Sequence, residues 1–346
     1  MNIQSSNRKC HCICFVGGLF VFWYIFRQQW TNFLFKPSLR VWHSNEQRIS
    51  RPNYINRDHG FCGPCPQDQQ ISNAWRLIDL IHEIPSTHPF LVNIGAASAN
   101  GGQYDPTFTL LNETESFSAL LVDPNTNPAL FNAYPHRSNI QIIHDFIWSE
   151  TIIETIFKRY RIPQNLTILK VDIDSYECTL LQTILQANYR PQFIHTEFNP
   201  IFRPPIIFKP IYNSTTKYDW QPALWATSGP FYGCSLSALS RIVSSFDYVL
   251  LDVDFWDVIY IQRQLAVSYH IQVPANDEIA YRNGFLNHSC FPYCKQNVKL
   301  YNNQIADAIE IALQKSNFNE TMKQILDIYA PISTKTNVKH PYIISA

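Results

Sequence analysis

Lys170, Asp172, Asp174 and Glu177 stand close together at the end of an apolar run, in NLTILKVDIDSYECTLLQTIL (Asn165–Leu185). In a strand, Lys170 and Asp172 fall on one side, with Leu169, Val171 and Ile173 on the other. Helical patterns flank the run, so the strand reads as central and buried. A charged pair there is costly unless it is matched or used. Open α/β sheets hold their ligands at the carboxyl ends of the strands, and Asp172 and Asp174 sit at that end. A helix then opens, with Leu180, Leu181, Ile184 and Leu185 as its apolar stripe. Asp174 and Glu177 also have the spacing of a helix capping box. That cap leaves Lys170 and Asp172 unexplained.

Other candidates lie at the ends of neighbouring strands. In RPQFIHTEFNP, His195 and Glu197 alternate with Ile194 and Thr196, which aims both at a cleft beside Asp172. The strand Phe90–Ile94 runs into Gly95, Ala96, Ala97, Ser98 and Ala99, then Gly101 and Gly102. Small residues after a strand let the backbone approach a ligand closely, and a tight turn is the alternative. The strand Phe117–Val122 ends in Asp123-Pro124, where an acid can bind a ribose hydroxyl pair or simply form a turn. The strand Ile140–Ile143 ends in His144-Asp145. Two D-x-D triplets, Asp172-Ile173-Asp174 and Asp252-Val253-Asp254, have the form of a metal site on a sugar nucleotide.

Strands alternating with helical patterns from Phe90 to Gln262 predict a doubly wound α/β fold. The expected sheet is seven-stranded and mostly parallel, with its last strand antiparallel. The domain is placed at residues 69–346 with a core at 90–262, opening on a helix over Gln69–Glu83. The stretch from Asn199 to Pro230 is too long for a simple connection. Trp220 and Trp225 within it offer flat surfaces for a substrate.

Lys plus Arg and Asp plus Glu are both 27, so no basic surplus points to nucleic acid. Residues 1–9 form a polar tail. The apolar run Cys10–Phe26 lies at the short end of the membrane-spanning range. Arg27-Gln28-Gln29-Trp30 follows it in place of a small-residue cleavage site, which favours an uncleaved signal-anchor over a signal peptide. Residues 27–68 then read as a stem. Asn112, Asn165, Asn213, Asn287 and Asn319 each open an Asn-x-Ser/Thr triplet, which suits a domain in the lumen of the endoplasmic reticulum or Golgi. Asn165 lies beside the central strand, a position where modification is not assured. Cys62 with Cys65 and Cys290 with Cys294 read as disulfide candidates in that setting, and Cys178 and Cys234 as buried thiols.

The order of these motifs resembles that of the FkbM-like class I S-adenosylmethionine-dependent methyltransferases. VNIGAAS is similar to their D-x-G-A-x-x-G opening, LLVDPN to their second-strand acid, and LKVDIDSYE to their L-K-x-D-x-E-G-x-E segment. IHTEFNP and GCSLSAL…YVLLDVD are also similar to stretches of that family. Four positions depart from it: Asn93 for the first-strand acid, Ala99 for the last glycine of the opening, Asp174 for a glutamate and Ser175 for a glycine. The resemblance implies methyl transfer from S-adenosylmethionine to a hydroxyl oxygen of a small molecule or glycan, with no metal required. It implies that Asn93, Gly95 and Ala97 line the methionine end of the cofactor, Asp123 the ribose and Asp145 the adenine. Asp172, His195 and Glu197 are then the candidates for substrate binding and base. A lumenal glycosyltransferase built on a D-x-D triplet, and a non-catalytic binding protein on the same fold, stand as alternatives.

Overall fold

The computed structural model describes residues 74–96, 105–124, 128–173, 175–212, 233–288, 291, 309, 311–329 and 342–345. The apolar run Cys10–Phe26, the stem, Ala97, Ala99, Asp174, Trp220, Trp225 and the cysteines Cys62, Cys65, Cys290 and Cys294 lie outside them. No helix among the described residues is long and apolar enough to cross a membrane.

Helix α1 (Ala74–Glu83) leads into β1 (Phe90–Ile94). Helix α2 (Pro106–Glu113) and β2 (Ser118–Asp123) follow, then a single turn α3 (Pro128–Phe131) and β3 (Ile140–His144). A π-helical segment (Ile153–Lys158) crosses back to β4 (Ile168–Val171), and α4 (Glu177–Gln186) connects to β5 (Phe193–Glu197). After β6 (Ile207–Pro210), α5 (Leu236–Ser244) leads to the hairpin of β7 (Tyr248–Asp254) and β8 (Asp257–Gln262).

The strands form one seven-stranded sheet in the order β3-β2-β1-β4-β5-β8-β7. Strands β1 to β5 pair in parallel, and β8 runs antiparallel to both β5 and β7. The chain winds outward from β1 to β3 and then returns to place β4 on the other side of β1. That reversal is a topological switch point, the place where such sheets open a crevice at their carboxyl ends. Strands β1 and β4 are parallel neighbours, Leu91 to Ile94 pairing with Ile168 to Val171.

Both faces are covered, which is why β4 reads as an almost continuous apolar run. On one face Leu180, Leu181, Ile184 and Leu185 of α4, with Leu236 and Leu239 of α5, pack against Val92, Leu169, Val171 and Ile194. On the other, Leu77 and Leu80 of α1, with Phe108 and Leu111 of α2, pack against Leu91, Ile168, Phe193 and Ile261. Helix α2 starts where it does because Asp105 accepts from the Thr107 amide while Pro106 holds the first helical position. Ser235 caps α5 in the same way, accepting from the Ala238 amide.

The capping box expected from Asp174 and Glu177 does not form. Helix α4 begins at Glu177 itself, too late for that residue to stand at the third position. Its Oε1 instead accepts from the amides of Ile173 and Ser175, tying down the loop that leaves β4. Cys178 and Cys234 are fully buried, as expected, and they are joined to one another by a disulfide. The bond fastens the start of α4 to the residues that lead into α5.

The C-terminal region folds back on the segment after β5. Helices α6 (Arg263–Ser268) and α7 (Asp277–Tyr281) follow the hairpin, then α8 (Phe318–Tyr329) and β9 (Tyr342–Ser345). Strand β9 pairs antiparallel with β6, over a separate small core of Phe202, Ile206, Phe208, Ile309, Ala312 and Met322.

Gly95, just past β1, shows how tightly the switch point is drawn. Its φ is +88°, and a Cβ there would stand 1.6 Å from the Asp172 carbonyl oxygen. Its amide donates to the Val122 carbonyl. Glycine is therefore demanded by the approach of β1 and β4, whatever binds above them. Gly95→Ala is expected to cost about 3 kcal/mol or more through overlap and left-handed strain. Urea unfolding measures this, and an unchanged midpoint would contradict the close approach.

Candidate functional site at the carboxyl edge of the sheet

Two rows of polar side chains cross the sheet on the face covered by α1 and α2. Register alone creates the first: Asn93 of β1 stands beside Lys170 of β4, and Lys170 beside His195 of β5. All three are buried, at 0%, 4% and 2% exposure. Such groups are costly in an interior unless they are paired.

Asp105 does most of the pairing. Its Oδ2 accepts from Asn93 Nδ2 at 2.8 Å and lies 3.3 Å from Lys170 Nζ. Its Oδ1 accepts from the Thr107 amide and hydroxyl. Lys170 Nζ also donates to Asp172 Oδ2 at 2.7 Å. Burial by itself would strip the Lys170 proton, but Asp105, Asp172 and Asp257 outweigh it and raise the ammonium pKa above its usual value. Burial likewise pushes the Asp105 carboxyl up, while Lys170, the Thr107 hydrogen bonds and His195 together hold it below the usual range. The result is a buried ion cluster that stays charged at neutral pH.

The second row lies one step nearer the carboxyl edge. Asp172 follows Lys170 by two residues and Glu197 follows His195 by two, so both return to the same face. Glu197 stands beside Asp257 at the start of β8, and Asp257 beside Asp254 at the end of β7. Asp172 and Glu197 are half-buried. His195 Nε2 is 3.9 Å from Asp257 Oδ2, and His195 Nδ1 is buried with no hydrogen-bond partner. His288 Nε2 is 3.6 Å from Asp254 Oδ1.

The remaining candidates take separate positions around the switch point. Asp123 ends β2 as expected. A strand-end position would suggest partial exposure; instead Asp123 is 3% exposed, on a strand flanked by β1 and β3. Asp145 is exposed just past β3, with Oδ1 accepting from the Phe146 amide, and Phe146 stacks on Trp148. Asn93 keeps an orphan: its Oδ1 is buried with no hydrogen-bond partner. Among the described residues no cluster of His, Cys, Asp or Glu is arranged to hold a metal ion. In the second D-x-D triplet Asp252 pairs with Arg76 at 3.4 Å. Burial pushes the Asp252 carboxyl up, against Arg76 and with help from Asp254, to about 6.

Sequence reasoning missed Asp105 and Asp257. The signal for Asp105 was Asp-Pro at the head of a helical pattern, which reads equally well as a plain cap. The signal for Asp257 was its alternation with Ile259 in DVIYIQ, which becomes informative only once β8 is known to pair with β5.

No family model matches the sequence, and no curated protein matches it. Solved structures are similar in part, three of them as follows. One is the CMeT domain of the citrinin polyketide synthase, at 10% identity and a TM-score of 0.34, covering 55% of this chain and 51% of that one. Another is the fibrillarin/Nop5p complex, at 12% identity and 0.27, covering 54% and 80%. The third is OxaC in complex with SAH and oxaline, at 14% identity and 0.31, covering 57% and 48%. The chain thus spans about half the length of the first and the third. Strand order, rather than these partial overlaps, defines the class: a doubly wound, mostly parallel α/β sheet with polar side chains gathered at its carboxyl edge.

Replacing Lys170 tests the ion cluster. Lys170→Met strands Asp105 and Asp172 without their counter-charge and is expected to cost about 3–5 kcal/mol. Adding Asp105→Asn should recover part of that loss, and a double-mutant cycle in urea reads the coupling. Strict additivity of the two changes would argue that they do not form one cluster.

Proposed function

We propose that this protein transfers a methyl group from S-adenosylmethionine to a hydroxyl oxygen. The observation that carries the reading is the set of groups around the switch point. A left-handed glycine follows β1, an acid ends β2, another follows β3, and two half-buried carboxylates stand just past β4 and at the end of β5. The motif order in the sequence supports the same reading. The residues fit the cofactor chemically. The buried, orphaned Asn93 Oδ1 is an acceptor suited to an ammonium group, and the Asp123 carboxylate is suited to a pair of hydroxyls. The exposed Phe146, beside Asp145, suits a flat base.

When bound, S-adenosylmethionine supplies a methyl group activated by its positively charged sulfur. The protein's part is to hold the acceptor in line and to receive the hydroxyl proton. Lys170 holds Asp172 by Oδ2, which leaves Oδ1 to meet an acceptor hydroxyl. Glu197 stands one strand away on the same row. His195 lies beneath them, buried, with its Nε2 3.9 Å from Asp257 Oδ2.

Calorimetric titration of the full chain with S-adenosylmethionine tests the reading. Asp123→Asn keeps shape and removes charge, so the affinity should fall about tenfold. Asp172→Asn should keep the cofactor and lose turnover. A wild-type chain that shows no binding at millimolar concentration would favour the non-catalytic reading instead.

We also infer that the domain lies in the lumen of the secretory pathway, behind a signal-anchor at Cys10–Phe26. The Cys178–Cys234 disulfide supports an oxidising compartment. Asn112, Asn165, Asn287 and Asn319 are all exposed. Endoglycosidase treatment of protein from secretory cells should raise its gel mobility. Unchanged mobility, with the domain open to protease in the cytosol, would refute the lumenal placement.

A further inference from the structure

The two residues that lead into the Ser235 cap of α5, Gly233 and Cys234, meet three parts of the chain at once. The Gly233 amide donates to the Ser175 carbonyl at 3.0 Å, in the loop that leaves β4. The Cys234 carbonyl accepts from the Asn199 amide at 2.7 Å, just past β5. The Cys234 sulfur is bonded to Cys178, the second residue of α4. The stretches so joined carry the two half-buried carboxylates named above. Asp172 precedes Ile173 by one residue, and Glu197 precedes Asn199 by two.

On the β4 side the connection runs through Glu177, the chain neighbour of Cys178. It is buried, and its Oε1 gathers the amides of Ile173 and Ser175. Such charge-assisted bonds are strong while water is excluded and weak when water competes. Gly233 lies over this carboxylate: its φ is +58°, and a Cβ there would stand 3.5 Å from Glu177 Oε2. On the β5 side Asn199 is fully buried, and its Oδ1 accepts from the Ile201 amide.

Hydrogen bonds that join one loop to another open locally at small cost. The disulfide is a tie of a different kind. Cys178 is rooted in α4, whose Leu180, Leu181 and Ile184 pack on the sheet. The bond therefore fastens Gly233 and Cys234 to an element with a core behind it, and through them both loops.

We propose that the Cys178–Cys234 bond is a positioning device for the site, completed by oxidation. The disulfide-bonded chain holds the loops beside Asp172 and Glu197 in place, and the dithiol chain keeps the sheet but loosens both loops. Bond formation takes two protons and two electrons from the two thiols. A disulfide of another thiol compound accepts them and is reduced to two thiols. Both cysteines are fully buried, so the exchange occurs during folding or through local opening. The site is then complete only in a chain that has met an oxidising compartment. What the two carboxylates do there rests on the methyl-transfer reading.

Hydrogen exchange read by mass spectrometry on the purified full chain tests the proposal, with the double variant Cys178→Ala, Cys234→Ala beside the wild type. In the variant the amides of Ile173, Ser175, Asn199 and Gly233 should exchange about tenfold faster, while those of β1 and β2 keep their rates. Wild type reduced with dithiothreitol should match the variant and regain protection on reoxidation with oxidised glutathione. It also takes the variant's place if the variant does not fold. Three results would overturn the proposal: equal rates at those amides with and without the bond, a rise spread evenly over the sheet, or a peptide map of protein from secretory cells in which the two cysteines are not joined. Titration of the wild type with S-adenosylmethionine separates the two readings. No binding there overturns methyl transfer, and the exchange rates still decide what the bond holds.

Discussion

The arrangement at the carboxyl edge depends on one buried ammonium. Lys170 sits in the middle of the sheet, where neighbours on every side exclude water. It is kept charged by Asp105 from the head of α2 and Asp172 from the end of β4. Three elements distant in sequence are thereby held to a single point. The first turn of α2, the end of β1 through Asn93 and the end of β4 cannot move independently without exposing an unmatched charge. A wholly apolar centre would have served stability as well. What the ion cluster adds is fixed orientation, since Asp172 is held by one oxygen and Asn93 by its amide nitrogen.

The second constraint is steric. Gly95 lies so close to Asp172 that the two strand ends share one small space. This closeness brings the β1 turn and the β4 carboxylate to the same edge. It also explains why the ion cluster and the proposed ligand groups are neighbours. Reversal of the winding direction between β1 and β4 opens the crevice, and the glycine keeps its floor narrow.

Beyond the sheet, two fastenings act on the segment that follows β5. The Cys178–Cys234 disulfide ties its far end to α4, and β9 pairs with β6 near its beginning. Both depend on contacts between residues far apart in the chain. Local patterning offered the close pairs Cys62 with Cys65 and Cys290 with Cys294 as the natural partners, yet proximity in sequence carries no information about a bond formed across 56 positions. The same limit explains the missing capping box. Glu177 has the spacing for it, but the helix starts later, and its carboxylate serves the loop instead.

The sequence by itself determined the class of fold, because strand and helix periods are local and are written plainly from Phe90 to Gln262. It also marked Lys170 and Asp172 as an unexplained charged pair, since two charges inside an apolar strand stand out without any structure. Tertiary structure alone decided what they pair with. Asp105 is distant in sequence and looks like an ordinary cap. Asp257 joins the row only because β8 inserts antiparallel between β5 and β7. Likewise Asp123 is legible as a strand-end acid, but its burial follows from the strands on either side. Periodicity reveals which way a side chain points along its own strand. Which charges meet across the sheet is set by strand order and register, and those come from the packing of the whole domain.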